Sequence, residues 1–330
     1  MNSRIVLSLI ACILLLGTAG VAYAGSVVTS IPVTSAGGVD VNPTTNIVYA
    51  TSIGDSSVKV IDGNPGSPDE NTVIATIPVG ASPLFVSVNP ITNFVYVTTN
   101  QGNTVSVIDG NPGSPDENTV IATIPVADGP NGIVVNPTEN LIYVASGRAG
   151  TFTVIDGSTN QVIHSAFLAP WLNGITVDPT TNLVYVAQSN SPGQIFVMNG
   201  LSVNGFSHVD TIPVDAFPNP LAINPNAEIL YAASGHPSNS VISVIDTNTN
   251  TVTSTITIPG HFARAMDINT DTNRIFVGTD EPGTLYVIDI APGSPTENTV
   301  VDTTPIGSFT QQVSVNPITN LVYSADTGSS

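Results

Sequence analysis

Apolar residues in this chain come in short runs rich in Val, Ile, Tyr and Phe, each fenced by Gly, Pro, Asn, Asp or Ser. Leu84 to Val88, Phe94 to Thr98, Thr104 to Ile108 and Thr119 to Val126 form one set of four such runs. None shows the three-to-four-residue period of an amphipathic helix, and β-branched and aromatic residues dominate, so the pattern predicts four short strands, A to D. The A to B link, Asn89-Pro90-Ile91-Thr92-Asn93, is turn chemistry: Pro fixes φ and removes a donor, while Asn side chains bond the local backbone.

The set recurs. "VIDGNPGSPDENTVIATIPV" stands at Val60 to Val79 and again, identical, at Val107 to Val126, an offset of 47. An anchor of the form apolar, Asn or Asp, usually Pro appears seven times, at Asn42, Asn89, Asn136, Asp178, Asn224, Asn269 and Asn316, with spacings of 47, 47, 42, 46, 45 and 47. That is the period of a four-stranded propeller blade. One such sheet cannot bury both of its faces, so neighbours must stack, and a ring of them leaves no open end. The fold expected is all-β, a β-propeller of four-stranded antiparallel blades, seven-bladed with the last blade incomplete.

That incompleteness comes from counting. A D-like strand at Val27 to Val33 precedes six full sets, and after them only A and B of a seventh unit are found, ending at Leu321 to Ala325. In a meander B and D run the same way, so the first strand could meet Leu321 to Ala325 directly only in parallel. The reading taken is a truncated sequence. The alternative is a true gap with two open edges that invite a strand from another molecule.

"NFVYVTTN", "NLVYVAQS", "NLIYVASG" and "NIVYATSI", each after an Asn-Pro or Asp-Pro turn and before "VSVIDG" or a variant, resemble the YVTN family of β-propeller repeats over residues 27 to 325. The resemblance implies an exported or surface-associated bacterial or archaeal propeller, and no particular reaction. The unit at Asn269-Thr270-Asp271 lacks its Pro, and Met198-Asn199 stands where Ile-Asp is usual; these blades are expected to be looser.

Arg4, an apolar run from Ile5 to Leu16, and Ala22-Tyr23-Ala24 before Gly25 read as a secretory signal peptide over residues 1–24, too short in its apolar part to span a bilayer. Leu9-Ile10-Ala11-Cys12 resembles a lipidation box, with little apolar chain before it. Residues 25–330 are then a single propeller domain. The segment removed takes away the one Cys, so disulfides cannot hold the fold, and leaves four Lys and Arg against 24 Asp and Glu, a formal charge of −20. A nucleic-acid partner, which needs a basic surface, is excluded. No Asn-x-Ser/Thr acceptor with a permissive middle residue and no second hydrophobic span occurs. The expected place is secreted, periplasmic or cell-surface, with no membrane insertion after signal cleavage. The partner expected is a protein, glycan or small molecule of the cell envelope.

The doubled segment carries a long C to D loop, Asp62 to Asn71 and Asp109 to Asn118, with a degenerate third copy at Asp289 to Asn298. Asp62, Asp69, Glu70, Asp109, Asp116 and Glu117 are oxygen ligands of the sort Ca²⁺ takes. Their spacing is not that of an EF-hand, and a Pro-stiffened Asx turn accounts for them as well; no cofactor is otherwise expected. On the opposite face, where D to A and B to C loops meet, lie Trp171, Phe217, His236, His261, Phe262, Arg264 and Arg148, with Phe309 and Gln311 nearby. Aromatics with a few polar groups around a concavity suit a ligand, although each aromatic could instead plug a seam between blades. No catalytic residue declares itself: there is no G-x-S-x-G elbow, and His236 and His261 fall in no metal-ligand spacing. The function expected is that of an exported, non-catalytic binding or cell-envelope module. The alternative is a lactonase-like hydrolase or lyase with its site on the D-A/B-C face.

Overall fold

The chain's four-strand units stand as six blades of consecutive strands around an axis, in a computed structural model that describes residues 8–13, 26–201, 205–235, 239–259 and 262–328. Among the described residues no helix is long and apolar enough to cross a membrane. In the second blade, strands A to D are Pro83–Val88, Phe94–Thr99, Thr104–Asp109 and Thr119–Pro125, within two residues of their sequence positions, each antiparallel to the next. A strands of adjacent blades pack against each other at the axis. D strands lie outermost and alternate exposed with buried residues, as in Val73–Pro78.

The two ends of the chain share a further four-stranded sheet that closes the ring. Its inner strands are Ser308–Asn316 and Leu321–Gly328, and its outermost is Ser26–Pro32. The third place, expected to be empty, is held by Ser8–Ile13, antiparallel both to Leu321–Ala325 and to Ser26–Pro32. Six blades of consecutive strands thus stand where seven, the last incomplete, are expected; in the closing sheet two strand edges separated by one strand's width template any segment of strand length, and a stretch of the expected signal peptide fills the slot.

What the repetition does is visible at the seams. Each turn Asn caps its own turn, and all but Asn224 reach the next blade. Asn89 Oδ1 accepts from the amides of Ile91 and Thr92, while its Nδ2 donates to Asn140 Oδ1 of the next blade at 2.8 Å. The same link joins Asn42 to Asn93, Asn136 to Asn182 and Asn269 to Asn320, and Asn316 to Asn46 across the ring closure. Asp178 has no amide to donate. The Pro-less turn at Asn269 keeps both cap bonds, accepting from the amides of Asp271 and Thr272.

A second device explains the Gly of the "VIDG" signature. The Tyr of strand B is fully buried in six of the seven units, and its phenol crosses to the next blade. Tyr143 Oη donates to the Gly200 carbonyl at 2.8 Å, and a Cβ on Gly110 would lie 2.4 Å from Tyr49 Oη.

Candidate functional site

Each inner strand begins with the same local device. Counting back from the turn Asn, the seventh residue is Ser35, Ser82, Gly129, Trp171, Phe217, Phe262 or Phe309. Ser35, Ser82, Gly129, Trp171, Phe217 and Phe309 have φ between 50° and 69°. That conformation turns the carbonyl toward the same blade's B to C loop: Ser82 O accepts from Asn100, Gly129 O from Gly147 and Trp171 O from Ser189, each at 2.9 Å. The D to A and B to C loops are thereby clasped together on one face, as the sequence reading required.

Two residues further on, each A strand carries a β-bulge, for example between Pro130 and Ile133 or between Leu172 and Ile175. A bulge re-aims a side chain, and here it turns the residue five before the Asn toward the axis. Those residues are Gly37 and Leu84 in the first two blades, then Asn131, Asn173, Asn219, Arg264 and Gln311. In blades three and four the bulge carbonyl of the next blade comes so close that only Gly fits beside it: a Cβ on Gly174 would lie 1.6 Å from Asn219 O, and one on Gly132 2.2 Å from Asn173 O.

The mouth opens onto a cavity of about 210 Å³ on the axis, with Asn173, Asn219, Arg264 and Gln311 at its rim and Asp40, Asp267 and Ser314 deeper in. A second hollow of about 320 Å³ lies beside it, under Trp171 and among Arg148, Asn100, Asn131 and Asn173.

The deep carboxylates serve the backbone. An inner strand is an edge whose N–H groups need partners. Asp40 Oδ2 accepts from Val88 N at 2.8 Å and Asp267 Oδ2 from Val315 N at 2.7 Å. Ser87 and Ser314 hydroxyls play the same part for Val135 and Val41, and Ser314 also donates to Asp40 Oδ1 at 2.8 Å. Burial, opposed only in part by these hydrogen bonds, raises Asp40 to about 6. It raises Asp267 to about 7, with the Asp40 charge adding to the rise.

The sequence-predicted residues divide. Trp171, Phe217 and Phe309 are 63%, 49% and 37% exposed; they do not plug seams. Phe262 is half-buried against Gly235. Arg148 lies in the hollow, its guanidinium held flat by Asp128 at 3.1 Å and by Asn100. Arg264 is ion-paired with Asp280. His236 and His261 lie outside the described residues. His164, beside Phe206, and His208 sit on outer strands, far from the mouth in the order of the sheet. Asn131, Asn173, Asn219, Asp40 and Asp267 were missed; aligning the units on the turn Asn and reading back five or two positions would have found them.

The long C to D loops use their acids internally. Asp62 accepts from Asn64 N and Nδ2 and from Ser67 Oγ at 2.5 Å, and Glu70 accepts from Gly66 N at 2.7 Å. Asp109 and Glu117 repeat this with Asn111, Ser114 and Gly113. Burial works against ionisation of Asp62, but the Ser67 and Asn64 hydrogen bonds outweigh it and hold the carboxyl below the usual range. Asp69 and Asp116 contribute main-chain carbonyls, to Thr72 and Thr119. Among the described residues no three of Asp, Glu, His or Cys converge as a metal-holding group.

These features define a β-propeller protein. In comparison with known proteins, residues 148–275 match the family model described as Arylesterase. No curated protein matches the chain by sequence. Among solved structures the chain is similar to Kuenenia stuttgartiensis hydrazine synthase, at TM-score 0.75 and 14% identity, over 89% of this chain and 93% of that one. At that identity the likeness is one of fold.

Proposed function

We propose that this protein is an exported, non-catalytic propeller of the YVTN kind, the closing sheet counting as its seventh blade, that binds a cell-envelope ligand at the channel mouth. One observation carries the reading. Large aromatic side chains stand exposed at the mouth on left-handed backbone, a conformation bulky residues rarely adopt, where Ser and Gly serve the same turn in the first three blades. Strain and apolar exposure together are the mark of a surface kept for contact. The test is retention on an isolated envelope fraction by the wild-type chain and by Trp171→Ala combined with Phe217→Ala. The variant should melt with the wild type and lose most retention; equal retention would sink the reading. Export itself is checked by N-terminal sequencing of the secreted chain: Gly25 first is expected, and cleavage there takes Ser8–Ile13 out of the closing sheet and leaves it three strands of the mature chain.

A second reading, a propeller hydrolase, is favoured by the Arylesterase match over residues 148–275. Turnover of an aryl acetate that disappears in His261→Ala would support it.

A further inference from the structure

The mouth is asymmetric, and the asymmetry has a period. In the fourth blade the turn residue and the bulge residue are Trp171 and Asn173; in the fifth they are Phe217 and Asn219. In the sixth they are Phe262 and Arg264, and in the closing sheet Phe309 and Gln311. Four consecutive sheets thus repeat one module: an aromatic ring, then, two residues on, a planar side chain with N–H donors. In the first two blades the same places hold Ser35 with Gly37 and Ser82 with Leu84. The turn geometry is the same there, with φ of 52° and 56°, so folding does not ask for the aromatics.

From this we infer that the arc from blade four to the closing sheet binds a neutral polysaccharide, one sugar-sized contact per blade; this rests on the binding reading above. The chemistry selects the class in three ways. A flat ring edged by carboxamides meets a pyranose on both of its surfaces, the aromatic against its C–H face and the amides, which both donate and accept, against its hydroxyls. Trp171, Phe217 and Phe309 stand one to a sheet, each with Asn173, Asn219 or Gln311 two residues on, an alternation unlike the single apolar patch that a protein partner's hydrophobic core would need. Charge excludes an acidic polymer: each of the four described cations, Lys59, Arg148, Arg264 and Arg274, already faces an Asp, and the chain as a whole is strongly acidic. The clasp from Trp171 O to Ser189 N at 2.9 Å holds the ring's backbone fixed before any ligand arrives, which lowers the entropy lost on binding. Several weak contacts in series on one rigid arc then act together through effective concentration.

The experiment is affinity electrophoresis of the full chain in native gels containing mannan, laminarin, amylopectin or galactan, with polygalacturonate as the acidic control. Retardation in at least one neutral gel is expected. It should fall at least tenfold in apparent affinity for Trp171→Ala with Phe217→Ala, and several-fold for Asn173→Ala, with thermal midpoints unchanged. The control Ser82→Ala, outside the arc, should migrate as wild type. No retardation in any neutral gel, or retardation only in polygalacturonate, would overturn the glycan assignment. If the wild type is still retained by the envelope fraction through Trp171 and Phe217, only the ligand class falls; if that retention is absent too, the binding reading falls with it.

Discussion

The first two blades and the third and fourth solve one packing problem with different atoms. Where the bulge carbonyl of the next blade crosses the seam, the first two blades meet it with a hydroxyl: Thr51 Oγ1 donates to Leu84 O at 3.0 Å and Thr98 Oγ1 to Asn131 O at 3.1 Å. Strand B of the later blades has Ala145, Ala187 and Ala233 in that place. In blades three and four the seam closes by contact, with Gly132 and Gly174 admitting the neighbouring carbonyl. The hydroxyl seam has a donor that can rotate, while the glycine seam is fixed by shape and holds the mouth of the cavity to one outline. The rigid seams are the ones that border Trp171, Asn173 and Asn219.

The sharpest break of this comparison is Gly174→Ala. Its Cβ would meet backbone, which cannot swing aside, and we expect a loss of about 3 kcal/mol in urea unfolding, at the upper end for overpacking. In Gly38→Ala the Cβ would meet the Gln312 side-chain oxygen at 2.5 Å, which can yield, and the Leu84 carbonyl at 2.7 Å, a milder backbone clash than the 1.6 Å at Gly174; the expected loss is smaller, about 1 to 2 kcal/mol. Equal losses would erase the distinction between the two kinds of seam.

An intermediate effect comes from pH. Asp40 and Asp267 titrate at about 6 and about 7 in the fold against a reference of 3.8. Between about pH 4 and pH 7 the unfolded chain has given up these protons while the native ring still holds them, so stability falls as pH rises through this window and levels off above it. Asp62, Asp109, Asp156 and Asp289 are lowered, and their contribution is lost as pH falls below about 4. The thermal midpoint should therefore peak between pH 4 and 5 and drop by several degrees by pH 8. Asp267→Asn, with nothing to ionise there, should lessen the drop and leave the shares of Asp40 and of Asp326, which burial likewise raises to about 7, as differential scanning calorimetry would show. A midpoint that rises steadily to pH 8 would contradict the placement of both acids.

The smallest expected change is Ser82→Trp, which grafts the arc's aromatic onto the second blade. Ser82 already has φ 56°, so only the extra strain of a bulky ring on left-handed backbone is added, about 1 kcal/mol. If that variant unfolds, the aromatics of the later blades belong to the turn and not to a ligand.

The internal repeat made the blades legible, because Asn-Pro turns and alternating β-branched runs are local signals that packing merely endorses. The aromatic loop residues were legible for a related reason: a Trp in a polar turn conflicts with its surroundings. The buried acids were not. Asp40 and Asp267 sit at a position that elsewhere holds Ser87, Val134, Thr176, Ala222 or Ser314, and an Asp between apolar neighbours reads as an outward-facing strand residue until the ring turns that side to the axis. The strand Ser8–Ile13 was hidden differently, since an apolar run after one cation is also what an export signal looks like.

The Asn ladder passes from Asn316 to Asn46, so the first and last repeats hold hands through the same bond that joins their neighbours. Five seams carry this clasp, and among the described residues the two that lack it follow Asp178 and Asn224. These clasps lie at the A to B turns, on the face away from the mouth, so pulling on either terminus would load the closing sheet while the seams of that far face resist.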